Sequence, residues 1–224
     1  MTALIDDFVA PPCAEGIEIL YQDDALLLIH KPSGLLSLSG KNPLNLDSVH
    51  HRLVQQFPNA LLPHRLDFGT SGLMVVALNK DVAVDLNRQF QLRNVIKTYE
   101  ALLAGHVSDD EGEIALPIAK DPENFPKMKI CAVTGKAATS HFKVIARQTG
   151  PDATRVLFTP LTGRTHQLRI HSAGFGHPIL GCDLYGTAES HRMADRLLLH
   201  AATLEFDHPV TGERIQGKSH CPFI

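Results

Sequence analysis

Residues 95–160 constrain the fold most, because they hold five short apolar and β-branched runs in succession and no stretch with helical periodicity. The runs, 95–104, 113–117, 129–133, 138–146 and 154–158, are divided by Gly, Pro, Asp and Asn turn residues. Strands that follow one another through short turns pair with their neighbours, which predicts a mainly antiparallel or mixed sheet. Upstream, 18–21 and 25–30 flank Asp23-Asp24 as a hairpin, and Lys31-Pro32-Ser33-Gly34 turns the chain again. Residues 48–57 read as a short helix and 72–78 as a buried strand. Val82, Ala83, Leu86 and Phe90 then recur at helical spacing, with Asp81 as the cap. Downstream, 163–173 reads as a helix capped by Thr162, and 197–206 and 213–218 as strands around a turn at 208–212. The class is α+β with few helices. Residues 1–15 carry Pro11-Pro12 and no periodicity, so they are expected to form a flexible N-terminal arm ahead of one domain over 16–224. A length of 224 residues suits one domain or two closely packed lobes.

Cys13, Cys131, Cys182 and Cys221 stand far apart with no C-x-x-C pair, which excludes a disulfide scaffold and a short-spaced zinc site. Apolar runs such as 25–29 and 73–78 fall far short of the roughly 20 residues that cross a bilayer. The first 30 residues hold six acidic side chains and no lysine or arginine, unlike a signal peptide, so the expected address is the cytoplasm.

The formal net charge of −3 argues mildly against a nucleic-acid partner, but its distribution argues for one. Residues 120–171 carry Lys120, Lys127, Lys129, Lys136, Lys143, Arg147, Arg155, Arg164 and Arg169 against Asp121, Glu123 and Asp152, a net of +6. A basic half of that density can hold a polyanion while the whole chain stays acidic. A solvated basic face is the plainer alternative.

Two segments concentrate chemistry. His64-Arg65-Leu66-Asp67-Phe68-Gly69-Thr70-Ser71-Gly72 sets a histidine, an arginine, a carboxylate and glycines in a loop that leads into a strand. Kinase loops do not fit it, for lack of a Gly-rich loop and a Val-Ala-Ile-Lys strand upstream. Gly69-Thr70-Ser71-Gly72-Leu73 lacks the last glycine of a nucleophile elbow, and Gly174-Phe175-Gly176-His177-Pro178-Ile179 lacks the third glycine of a dinucleotide fingerprint. The thirteen histidines include no H-E-x-x-H pair, and His166 and His171 fall on different faces of a helix, so no metal is expected. The second segment is Leu161-Thr162-Gly163-Arg164-Thr165-His166-Gln167-Leu168-Arg169-Ile170-His171.

Together these segments resemble the RluA family of pseudouridine synthases. The resemblance extends through Lys31-Pro32-Ser33-Gly34-Leu35-Leu36, Lys97-Thr98-Tyr99-Glu100-Ala101, Gly176-His177-Pro178-Ile179-Leu180-Gly181-Cys182 and Leu197-Leu198-Leu199-His200-Ala201, in family order across residues 31–201. It implies a mainly antiparallel sheet with an active-site cleft across it, and a reaction that detaches uracil from C1′ of ribose, turns it and rejoins it through C5. No redox change occurs, so neither cofactor nor metal is required. The resemblance makes Asp67 the catalytic nucleophile or base, Arg164 its charge partner beside a helix dipole, and Tyr99 the residue that stacks on the base and relays the C5 proton. Arg65 is expected to fill the stack vacated by a flipped uridine, Leu199 to wall the pocket, and His64 and Thr70 to shape the loop. Lys127 and Lys129 are the expected phosphate contacts. The 30 residues before the first motif leave no room for the S4-type RNA-binding domain of many members, so the catalytic domain itself must select RNA. The implied substrates are 23S rRNA (U746) and the tRNA anticodon loop (U32), with a tRNA acceptor-arm uridine (U65) as the alternative. The chain is expected to act as a monomer, without a membrane. A non-catalytic RNA-binding module of the same fold would have no need of a carboxylate facing phosphates.

Overall fold

The computed structural model describes residues 8–150 and 152–223; the first seven residues of the expected arm lie outside them. The described residues form two compact units, one built from 8–95 with Thr203–His220, the other from Ile96–Ala202 with 221–223.

In the first unit, β1 (Glu18–Gln22) and β2 (Leu26–Lys31) form the expected hairpin. Asp23 closes it by accepting the backbone N–H groups of Ala25 and Leu26, both at 2.8 Å. The first helix, α1 (Val49–Leu53), is capped by Ser48 but stops well short of 57. β3 (Ser71–Ala77) pairs antiparallel with β2 and is buried along its whole length, as a continuous apolar run requires. The next helix, α2 (Lys80–Leu92), begins two residues earlier than expected, because the Asn79 side chain, not Asp81, accepts the Val82 N–H at 3.0 Å. Its Val82, Ala83 and Leu86 complete a core with Leu26, Leu28, Leu73, Val75 and Phe206. Each such aliphatic side chain contributes about 1.5–3 kcal/mol on burial.

In the second unit, β4 (Ile96–Ala104), β5 (Glu111–Ala115), β6 (Ile118–Lys120), β7 (Met128–Ile130), β8 (Thr139–Gln148) and β9 (Ala153–Pro160) follow in sequence. Their order in the sheet is β4-β9-β8-β5, antiparallel throughout, and β6 and β7 pair separately as a small hairpin. The strand β6 was not anticipated; it is three residues long and exists through its partners, Met128–Ile130 and the two Ile118–Lys136 backbone bonds at 2.9 and 3.0 Å. Two short helices follow, α3 (Gln167–Gly174) and α4 (Ala188–Arg192). The strand β10 (Leu199–Asp207) starts in this unit and ends in the first, where it pairs with β11 (Arg214–Lys218). The fold is therefore α+β, mixed and mostly antiparallel, with few helices.

The described part of the arm, 8–15, has no regular structure but is held in place. Ala10 N–H donates to the Asn45 side chain at 2.8 Å, Asn45 donates to the Phe8 carbonyl at 2.7 Å, and Arg52 donates to the carbonyls of Cys13 and Glu15.

Candidate active site

In the first unit, the Asp67 loop is clamped from both sides by the segment that follows β2. Ser37 Oγ donates to the Leu66 carbonyl at 2.7 Å and accepts the Leu66 N–H at 3.1 Å. On the other flank, the Phe68 carbonyl accepts from Gly34 N–H at 2.9 Å and from Lys31 Nζ at 3.2 Å, and Ser33 Oγ donates to the Gly69 carbonyl at 2.7 Å. Gly34 reaches this position at φ 75°, a conformation that a side chain would strain. The Lys31 ammonium is wholly buried and also donates to the Pro32 and Leu35 carbonyls at 2.9 and 2.7 Å. Lys31-Pro32-Ser33-Gly34 is thus the mould of the Asp67 loop, a role its sequence did not reveal. His64 accepts the Val75 N–H at Nε2, 3.0 Å, and stacks on Phe90, which fits the loop-shaping role expected of it. Thr70 is buried and its N–H bonds the Asp67 carbonyl at 3.1 Å. The clamp leaves Asp67 half-buried and Arg65 exposed, with Leu66 tucked into the interior between them.

Tyr99, Arg164, Leu199, Lys127 and Lys129 stand in the second unit. Tyr99 lies on β4 opposite Phe158 of β9, half-buried against the same hydrophobic cluster that contains buried Leu199. Two residues before Tyr99, Lys97 has its ammonium pKa lowered by burial, and its Nζ lies 4.0 Å from where a Cβ on Gly163 would stand.

Arg164 is not in a helix. The expected helix from 163 starts only at Gln167, because His166 adopts the left-handed conformation at φ 55°. The Gln167 side chain fastens the preceding turn, its Oε1 accepting the Arg164 N–H at 2.9 Å and the Thr162 hydroxyl at 2.8 Å. Thr162 therefore does not cap α3, and a helix dipole starting at Gly163 is absent. The Arg164 guanidinium donates from Nε to the Ala137 carbonyl at 3.1 Å.

Gln167 also begins a buried chain of hydrogen bonds. Its Nε2 donates to Ser140 Oγ at 2.9 Å, Ser140 Oγ meets His171 Nδ1 at 3.0 Å, and His171 Nε2 meets the Leu116 carbonyl at 3.0 Å. A carbonyl can only accept, so Nε2 carries the proton and Nδ1 accepts from Ser140. Burial pushes the His171 pKa below its ordinary 6.5. The unfolded chain then takes up a proton near 6.5 that the folded one refuses, so this contribution to stability is present above 6.5 and declines as pH falls below it. His171→Gln is expected to lose that decline, by at most about 1.4 kcal/mol per pH unit, in urea melts between pH 7 and 5. Identical pH dependence in both proteins would remove His171 as its source.

The basic half is less free than its composition suggests. Arg155 pairs with Glu100, Arg169 with Asp183, and Arg147 with Asp110 at 2.8 Å. Exposed lysines remain at 120, 127, 129 and 136, on or beside the β6–β7 hairpin, and at 143; Lys129 is 3.8 Å from Asp121. Among the described residues no three His, Cys, Asp or Glu side chains gather as metal ligands, and no helix is long and apolar enough to cross a membrane.

The model of one family, described as RNA pseudouridylate synthase, matches residues 25–174, which take in the Asp67 loop, Tyr99 and Arg164. The chain belongs to that family and is an RNA pseudouridine synthase, an isomerase that modifies RNA. Within the family it is of the RluA type. It is 47% identical over 205 residues to the dual-specificity RNA pseudouridine synthase RluA of Yersinia pestis, covering 92% of this chain and 99% of that protein. The RluA of Escherichia coli (strain K12) is 44% identical over 213 residues, 95% of this chain and 97% of that one. Among solved structures, human RNA pseudouridylate synthase domain containing 1 aligns with a TM-score of 0.79 at 31% identity, over 96% of this chain and 87% of that one. Human RNA pseudouridylate synthase domain containing 4 gives 0.74 at 26%, over 92% and 89%.

Proposed function

We propose that the enzyme isomerises uridines in two RNAs, 23S rRNA (U746) and the tRNA anticodon loop (U32), with Asp67 as nucleophile or base. The observation that carries this is the match, over nearly the whole length of both chains, to relatives whose names state dual specificity. The reaction breaks the C1′–N1 bond and forms C1′–C5; the proton leaving C5 is balanced by one gained at N1. A carboxylate must stay ionised in a site dry enough to protect the intermediate, and Arg164 is assigned the compensating charge. Tyr99 stacks on the base and relays the C5 proton, Leu199 backs the ring, and Arg65 takes the place of the flipped uridine. The cytoplasm, where both RNAs reside, is the proposed location.

The test is incubation with 23S rRNA and tRNA transcripts, followed by mapping of carbodiimide-reactive pseudouridine. Product at both sites is expected; product in one RNA alone removes the dual specificity, and product in the acceptor arm reassigns the substrate. Affinity should also fall with salt. Each neutralised phosphate contributes roughly −0.7 to −0.9 to the slope of log affinity against log salt, so four hairpin lysines give a slope near −3. Replacing Lys127 and Lys129 together with alanine should make it shallower by about 1.5 and weaken all RNAs alike, because phosphate contacts do not read bases. An unchanged slope would place the RNA on another face.

A further inference from the structure

The connection from β6 to β7 and the loop after β7 hold two large apolar side chains in the open, Phe125 at 67% and Val133 at 92% exposure. The hairpin does not lack a core. Met128 packs with Ile118, Ala138 and Ile170, and Ile130 lies so close to Gly174 of α3 that a Cβ there would stand 2.5 Å from its Cδ1. One face of the hairpin is therefore satisfied against α3, while Phe125 contributes nothing to that packing. Around it the chain places exposed Lys120, Lys127, Lys129 and Lys136, opposed by Asp121 and exposed Glu123.

The hairpin is also fixed to the Arg164 segment. Met128 N–H donates to the Tyr185 hydroxyl at 2.8 Å, that hydroxyl meets His166 Nδ1 at 2.8 Å, and Arg164 Nε donates to the Ala137 carbonyl just beyond Lys136. An aromatic ring amid lysines, on a hairpin hydrogen-bonded to the segment that carries Arg164, suits a base lifted from its neighbours whose phosphates are held beside it.

We propose that Phe125 is a stacking platform for an unpaired RNA base near the target uridine, with Lys127 and Lys129 holding the adjoining phosphates. The proposal rests on the chain being an RNA pseudouridine synthase and adds a base contact to its phosphate contacts. Stacking needs a flat ring: tyrosine can replace it and leucine cannot, although leucine is equally apolar. Stacking also carries no charge, so its loss leaves the salt dependence intact.

The experiment compares wild type with Phe125→Ala, Phe125→Leu and Phe125→Tyr on an anticodon stem-loop transcript carrying 2-aminopurine at single loop positions. The alanine and leucine variants are expected to raise Kd and KM about ten-fold, leave kcat and the salt slope unchanged, and lose the quenching of one loop position. Phe125→Tyr is expected to restore all three. Full affinity in Phe125→Leu, or quenching that survives in Phe125→Ala, overturns the proposal. So does retained RNA affinity in Phe125→Ala with weakened binding to anionic vesicles, which assigns the ring to a lipid surface. Fluorescence reports stacking without turnover, so absence of pseudouridine in the wild type would count against the enzymatic reading and leave this one to be decided by quenching.

Discussion

Asp67→Asn is expected to lower isomerisation by at least about 1,000-fold while folding and RNA affinity stay near wild type. The amide keeps the volume of the carboxylate, and the loop around it is set by contacts to its neighbours. Ser37 holds Leu66, and Lys31, Ser33 and Gly34 hold Phe68 and Gly69. What asparagine cannot do is attack C1′ or take the C2′ proton. Carbodiimide mapping of the product, beside filter binding of the same RNA, separates the two effects. Activity within ten-fold of wild type would sink the assignment of Asp67.

Lys31→Met should be the most damaging substitution away from the proposed reacting groups. Methionine fills the space of the stem but leaves the Pro32, Leu35 and Phe68 carbonyls without the ammonium they share in the interior. Buried acceptors that lose a donor cost about 1–3 kcal/mol each, and since Phe68 keeps the Gly34 N–H, a total of about 3–5 kcal/mol is expected. A lower urea midpoint at unchanged slope would report it. Turnover per folded molecule, measured in the cold, should fall as well, because Phe68 adjoins Asp67 and its carbonyl is one of the loop's fixed points. A loss under about 1 kcal/mol would mean the lysine is a passenger in the strand end.

Local pattern explains which elements were legible. Strands β8 and β9 follow from alternation, and β3 from an unbroken apolar run, since a buried face shows directly in side-chain period. The α2 boundary differs by two residues because Asn79 and Asp81 are both good capping residues, and only the backbone path decided between them. The start of α3 depended on Gln167 reaching Thr162 and the Thr139 carbonyl, and β6 depended on a partner that runs after an intervening turn. Neither signal is local.

The sequence by itself determined the family, the α+β class and the candidate residues, because motifs with glycines, a carboxylate and arginines at fixed offsets survive without coordinates. It also showed where positive charge concentrates, between 120 and 171. Only the tertiary structure decided how much of that charge stays available: Arg147, Arg155 and Arg169 find carboxylates, all three on other strands or loops, and leave the hairpin lysines exposed. It alone gave Lys31-Pro32-Ser33-Gly34 a purpose. A buried ammonium and a left-handed glycine are stable only where carbonyls remote in sequence converge on them, and that convergence is a property of the fold.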